Sequence, residues 1–169
     1  MAYMYFVEGE CEKKLIKAYM NLDETCFHLG KVEVFNMFNE RMSNAYARTI
    51  KKKTKIIIIL DSDVPNVELL DENLKTIKKV TNITDEDIII LFSIRTFEDE
   101  LIYSCSKLTN IHSLFNTKGI DEFKKKFIGR ENIQSKLKEV NFHIEKMWSR
   151  STKSLLEKYN KFKRSIIDK

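Results

Sequence analysis

The chain has 169 residues, is 43% hydrophobic and carries a net charge of +5, which suits one globular domain with a single core. Its four glycines and one proline are too few for linker-rich, collagen-like or low-complexity classes. The apolar stretches are shorter than the roughly 20 residues that span a bilayer, and the first residues lack the basic flank of a signal peptide. We therefore expect no membrane partner and a cytoplasmic location.

Strand and helix patterns alternate through the first 105 residues. Apolar runs rich in β-branched and aromatic residues predict strands at Tyr3–Val7, Lys31–Phe35, Lys55–Leu60 and Asp87–Phe92. Apolar residues at helical spacing predict helices at Glu10–Leu22, Met42–Ile50, Val67–Val80 and Phe97–Leu108. This alternation predicts an α/β fold, with a mostly parallel four-stranded sheet and helices on both of its faces.

Only helical spacing remains from Ile120 onward. It predicts three helices, marked by Phe123 and Phe127, by the stripe from Ile133 to Met147, and by the stripe from Leu155 to Ile166. We therefore divide the chain into an α/β domain at residues 1–116 and a helical extension at residues 117–169 that packs on the same domain.

Charge is distributed unevenly between these two parts. Residues 1–116 hold 15 Lys and Arg against 18 Asp and Glu, whereas residues 117–169 hold 15 against 7. A basic extension beside an acidic domain suits a polyanionic partner, because neutralising phosphates drives nucleic-acid binding. For the run Lys124-Lys125-Lys126, a solvated helix face is the alternative interpretation.

Two acidic segments follow predicted strands directly. Glu8 follows the first strand, and Asp61 and Asp63 follow the run Ile56–Leu60, whose lack of polar alternation is typical of a strand buried on both faces. In open α/β sheets the ligand crevice lies beyond the carboxyl ends of the strands. If the two strands are neighbours, these carboxylates and Glu12 converge, and a cation would offset their repulsion. Carboxylate oxygens are ligands that Mg²⁺ and Mn²⁺ prefer.

The pair of motifs resembles the Toprim domain. That domain is a Rossmann-like α/β fold shared by topoisomerases, bacterial primases, recombination mediators and the OLD family of nucleases. Glu8-Gly9 and Asp61-Ser62-Asp63 match its glutamate after the first strand and its Asp-x-Asp after the third. Glu12 looks most like the nuclease branch, typified by OLD and RloB-like proteins. The resemblance covers residues 3–105, and nothing in these 169 residues resembles the ATPase domain of full OLD proteins.

The resemblance implies a metal-dependent nuclease with one or two Mg²⁺ or Mn²⁺ ions. Glu8, Glu12 and Asp61 would hold one ion, and Asp61, Asp63 and Glu98 would hold the other, with Asp61 bridging. Glu98 matches the family's acidic residue after the fourth strand. Glu12 and Glu98 both stand at predicted helix starts, where acidic residues also complement the helix dipole.

The resemblance also implies a basic catalytic residue and a biological setting. Lys153 matches the family's downstream lysine and would join Glu8, Asp61 and Asp63 in catalysis by stabilising charge on the phosphate, although a solvated lysine is the alternative. DNA is the expected partner ahead of RNA, a separate ATPase is an expected partner, and phage defence or DNA processing is the expected setting. The rivals are a non-catalytic Toprim module that binds nucleic acid or protein and, with less resemblance, a phosphoryl-transfer receiver domain.

Overall fold

The computed structural model describes residues 2–20, 27–152 and 154–162. Four parallel strands, β1 (Ala2–Val7), β2 (Lys31–Val34), β3 (Thr54–Asp61) and β4 (Ile88–Ser93), form one sheet in the order β2-β1-β3-β4. Helices surround this sheet, so the predicted α/β, Rossmann-like architecture is confirmed. The four strands lie where the sequence predicts them, with small differences at their ends.

The apolar run of β3 explains why this strand lies at the centre of the sheet. Ile57 and Ile59 belong to one buried hydrophobic cluster, and Ile56 and Ile58 belong to a second cluster on the opposite face. Both faces of the strand are therefore covered, as the absence of polar alternation predicts.

Six α-helices occur in the described part of the chain: α1 (Glu10–Tyr19), α2 (Asn44–Ala47), α3 (Val67–Thr81), α4 (Phe97–Tyr103), α5 (Ile120–Gly129) and α6 (Ile133–Glu139). Short 3₁₀ helices lie at Asp85–Asp87, Ile111–Leu114, Ile144–Lys146 and Ser154–Phe162. Helices α1, α4, α5 and α6 contribute to the hydrophobic cluster on one face of the sheet, and α2 and α3 contribute to the cluster on the other.

Several predicted helices are shorter in the structure. The predicted helix through Met147 is wrong beyond Glu139, because Asn141 adopts a left-handed backbone (φ 52°) and Phe142 then pairs antiparallel with Cys105. The same pairing ends α4 well before Leu108. The last predicted helix is a 3₁₀ helix as far as Phe162, and its remainder lies outside the described residues, as does the end of the predicted Glu10–Leu22 helix.

Among the described residues, no helix combines the length and the apolar character needed to cross a membrane.

Candidate functional site

The carboxyl ends of β1 and β3 lie side by side at the point where the strand order reverses. The chain passes from β1 to β2 on one side of the sheet and then returns to place β3 on the other side of β1. In open parallel sheets this switch point opens a crevice that binds ligands. Glu8 and Asp61 flank it directly, because Glu8 Oε2 accepts a hydrogen bond of 3.0 Å from the backbone nitrogen of Asp61.

Glu12 reaches the same place from the first turn of α1. Its side chain is buried, with 4% of the residue exposed. Gly9, the residue before α1, makes room for it, because a Cβ atom added at Gly9 would lie 3.1 Å from Glu12 Oε2. That distance is shorter than most Cβ contacts in real proteins. The absence of a side chain at Gly9 therefore lets the Glu12 carboxylate occupy the edge of the sheet.

Glu98 and Lys124 complete the polar wall of the site. Glu98 lies in the first turn of α4 and is 9% exposed. Its Oε1 atom lies 3.5 Å from Lys124 Nζ, which comes from α5. Lys124 therefore brings one positive charge to a group of buried or half-buried acids.

These side chains line one cavity of about 310 Å³. Its lining residues are Glu8, Gly9, Glu10, Cys11, Glu12, Asn36, Asp61, Phe97, Glu98, Lys124 and Ile128. We call this the acidic cavity. A second cavity of about 420 Å³ is lined by Ser62, Pro65 and Arg150 among others.

Burial and mutual repulsion raise the pKa values of three acids of the cavity, Asp61, Glu12 and Glu8. Burial, followed by the charges of Glu12 and Glu8, raises the pKa of Asp61 to about 8. Burial, followed by the charges of Glu8 and Glu98, raises the pKa of Glu12 to about 7. Burial also raises the pKa of Glu8, against the hydrogen bond from the Asp61 backbone. Lys124 opposes the rise at Glu8 and Glu12 without removing it.

Two carboxylate oxygens in the cavity wall are left without hydrogen bonds. Asp61 Oδ1 and Glu98 Oε1 are buried, and neither finds a hydrogen-bond partner among the described residues. Buried acceptors in folded proteins are normally satisfied, and Glu98 Oε1 at least faces the Lys124 ammonium at 3.5 Å. Asp61 Oδ1 therefore marks the place for an external donor or a cation.

The donor chemistry suits a hard divalent cation, because every candidate ligand offers carboxylate oxygen. The donors are not yet assembled, however. No three acidic, histidine or cysteine side chains among the described residues stand close enough together to hold one ion. Binding would require the carboxylates to draw inward, a movement that a cation would favour by relieving their repulsion.

Four of the predicted site residues meet in the cavity, and a fifth, Asp63, does not. Glu8, Glu12, Asp61 and Glu98 line it. Asp63 is exposed outside the lining, and its Oδ1 atom accepts a hydrogen bond of 2.8 Å from the backbone nitrogen of Val64. Its charge is still near enough to raise the pKa of Glu8. Lys153 lies outside the described residues.

Sequence reasoning missed three residues that contact this site. Asn36 lines the cavity and opposes the rise in the pKa of Glu8, and Ser93, paired with Asp61 across β3 and β4, opposes the rise in the pKa of Asp61. Both stand at or just after the carboxyl end of a strand, so the rule that identifies Glu8 and Asp61 also points to them. Lys124 comes from a distant helix, and only its place in a lysine run marks it in the sequence.

Comparison with models of known protein families, with curated proteins and with solved structures finds no match to this chain. The resemblance to Toprim nucleases therefore depends on the motif residues and their order along the chain.

Proposed function

We propose that this chain is a divalent-metal-dependent nuclease of Toprim type whose active site is the acidic cavity. One observation carries the proposal. Glu8 and Asp61 meet at the switch point of a parallel sheet, in a cavity that also holds Glu12 and Glu98, and the Asp61 Oδ1 atom has no hydrogen-bond partner among the described residues. Such a concentration of acids is costly in a folded protein unless a cation offsets it.

The residues have separate roles in this proposal. Glu8, Glu12, Asp61 and Glu98 would hold Mg²⁺ or Mn²⁺, and the bound metal would supply Lewis-acid activation of water and of the phosphate. Glu8 would also keep the ends of β1 and β3 together through its hydrogen bond to the Asp61 backbone. The Lys124 ammonium, at the cavity wall, would stabilise negative charge on the phosphate. Asp63, as a metal ligand and catalytic residue, and Lys153, as a catalytic residue, remain predictions.

The substrate class follows from charge and from the resemblance. Residues 117–169 carry an excess of eight positive charges, with 15 basic residues against 7 acidic ones, and Lys124 links this basic part to the cavity. We infer a nucleic-acid substrate, with DNA favoured over RNA by resemblance to the OLD and RloB-like proteins. A cytoplasmic location, a partner ATPase and a role in phage defence or DNA processing belong to the same proposal.

The test is cleavage of plasmid DNA and of single-stranded RNA by the purified chain, with Mn²⁺, with Mg²⁺ and with EDTA. We expect cleavage with metal only, and its loss in Asp61→Ala. The matched control compares Glu98→Gln with Asp99→Asn in the same turn of α4. Asp99 pairs with Arg95 and lies outside the cavity lining, so its variant should cleave as the unmodified chain does. Equal activity in Glu98→Gln and Asp99→Asn would contradict the assignment of Glu98.

One observation favours the non-catalytic alternative, a Toprim module that binds nucleic acid or protein. The Lys124 ammonium already stands 3.5 Å from Glu98 and acts as an internal counter-ion, while no described trio of ligands is assembled for a metal. If this alternative holds, the chain will bind nucleic acid equally well in EDTA and in Mn²⁺. It will also show no metal-dependent cleavage under any of the conditions above.

A further inference from the structure

The Asp61 carboxylate is held from the side of β4. Asp61 Oδ2 accepts a hydrogen bond of 3.2 Å from the backbone nitrogen of Phe97, at the start of α4. Ser93, at the end of β4, is paired with Asp61 across the two neighbouring strands, and its hydroxyl opposes the rise in the pKa of this carboxylate. Asp61 Oδ1 has no hydrogen-bond partner among the described residues.

Ser93 is itself held by a residue from the carboxyl-terminal part of the chain. The indole Nε1 of Trp148 donates a hydrogen bond of 3.2 Å to Ser93 Oγ, and both residues are buried. An indole nitrogen can only donate, and a serine hydroxyl carries a single proton. Trp148 therefore donates to Ser93, and Ser93 keeps its own proton free to donate towards the carboxylate of Asp61, its neighbour across the strands.

Trp148 is fixed by a buried carboxylate that takes no part in the acidic cavity. Glu100 is fully buried, and its Oε1 atom accepts a hydrogen bond of 2.8 Å from the Trp148 backbone nitrogen. Its Oε2 atom accepts bonds from the Ile94 backbone, at 3.1 Å, and from the Arg150 guanidinium, at 2.5 Å. Trp148 is held in a left-handed backbone conformation, with φ 57°, that a residue without glycine's freedom rarely adopts.

We propose that Ser93 and Trp148 are positioning residues, which fix the orientation of the Asp61 carboxylate so that one oxygen stays available to a ligand. The proposal rests on the proposed function, in which that ligand is a divalent metal ion. Groups that orient a metal ligand through its second hydrogen bond are known to govern affinity. Here Trp148, which would orient Asp61 through Ser93, lies some 90 residues after Asp61 in the sequence.

The competing explanation is that these bonds only satisfy buried polar groups. The two explanations differ in what the variants Ser93→Ala and Trp148→Phe do to Asp61. If the bonds only satisfy buried groups, the variants lower the stability of the fold and leave the orientation of the Asp61 carboxylate unchanged. If the residues position Asp61, both variants alter its orientation, and the effect of Trp148→Phe passes through Ser93.

The experiment has a metal-free arm and a metal arm. Crystal structures of the metal-free chain with Ser93→Ala and with Trp148→Phe should show the Asp61 carboxylate rotated or divided between two orientations. The control is Phe27→Leu, which disturbs the ring that packs edge-on against Trp148, with centroids 6.0 Å apart, and leaves its indole N–H intact. In the control the carboxylate should keep its orientation. An unchanged, single orientation in both test variants overturns the proposal.

In the metal arm, Mn²⁺ affinity is measured by electron paramagnetic resonance. We expect affinity about tenfold weaker in Ser93→Ala, a smaller loss in Trp148→Phe, and no further loss when Trp148→Phe is added to Ser93→Ala. Losses that add fully in the double variant overturn the relay. Absence of Mn²⁺ binding to the unmodified chain contradicts the proposed function, and the metal-free structures then decide the positioning role by themselves.

Discussion

Replacing Asp61 with asparagine is expected to stabilise the metal-free protein, by an amount that grows with pH. Burial and the charges of Glu12 and Glu8 raise the pKa of Asp61 to about 8. Above that pH the folded protein must keep the carboxylate ionised beside two other acids. Asparagine has nearly the same shape and can still accept the hydrogen bond from the Phe97 backbone, but it carries no charge.

The sign follows from proton binding. Between the ordinary value of 3.8 and the folded value of about 8, the folded protein holds a proton on Asp61 that the unfolded chain has released. The free energy of unfolding therefore falls as pH rises through this window and stays low above it. At about 1.4 kcal/mol for each tenfold change in proton affinity, the ceiling is about 6 kcal/mol.

The expected gain is smaller than this ceiling because Asp61 does not titrate alone. Glu12, whose pKa is raised to about 7, titrates over much of the same range, so the free-energy cost of ionisation is shared by the two carboxylates. Water and side-chain movement reduce this cost further. We expect about 2 kcal/mol at pH 9, which is a rise in Tm of about 6 °C for a chain of this size.

The assay is urea unfolding in EDTA at pH 5, 7 and 9, with Asp99→Asn as the control. Asp61→Asn should exceed the unmodified chain least at pH 5 and most at pH 9, whereas the control should show no such trend. Added Mn²⁺ should then stabilise the unmodified chain by mass action and leave Asp61→Asn unchanged. A difference that is constant with pH, or a variant less stable at pH 9, would refute the account of the acidic cavity.

Three further predictions concern the neighbours of Asp61. Lys124→Met should destabilise the metal-free protein more at pH 8 than at pH 5 in urea unfolding, because the Lys124 charge lowers the pKa of Glu8 and Glu12; an equal loss at both pH values would contradict it. Gly9→Ala should weaken Mn²⁺ binding in calorimetry by about tenfold with little change in Tm, because its Cβ would press on the Glu12 carboxylate. Reversal of Lys125 and Lys126 to glutamate should weaken nucleic-acid binding in fluorescence anisotropy for every sequence alike, with a steep dependence on salt; affinity that is flat with salt would exclude this surface.

The fold was accessible from the sequence because its signals are local. The run Ile56–Leu60 is apolar at every position, and only a strand covered on both faces suits it. Glu8 and Asp61 follow their strands immediately, so parallel pairing of β1 with β3 is enough to bring them together. The same rule, applied to every strand, would have added Asn36 and Ser93.

The remaining contacts depend on how distant elements dock, which periodicity does not encode. Lys124 reaches the cavity because α5 packs in the same hydrophobic cluster as α1 and α4. Trp148 reaches Ser93 because the chain turns at Asn141 and again at Trp148, both with left-handed backbones. The apolar stripe from Ile133 to Met147 has the spacing of one continuous helix, so the sequence does not indicate either turn.

Asp63 belongs to the same sequence motif as Asp61 but occupies a different place in the structure. If β3 continued as an ideal strand, Asp63 would lie two residues after Asp61 and would point to the same face of the sheet. The strand ends at Asp61, however, and the next residue leaves the ladder, since the Ser62 backbone nitrogen bonds to the carbonyl oxygens of Ser93 and Arg95. Asp63 then caps Val64 and faces solvent. The predicted ligands that line the cavity are instead Glu8 and Asp61 from strand ends and Glu12 and Glu98 from helix starts, so its affinity for a cation depends on the docking of α1 and α4 against the sheet.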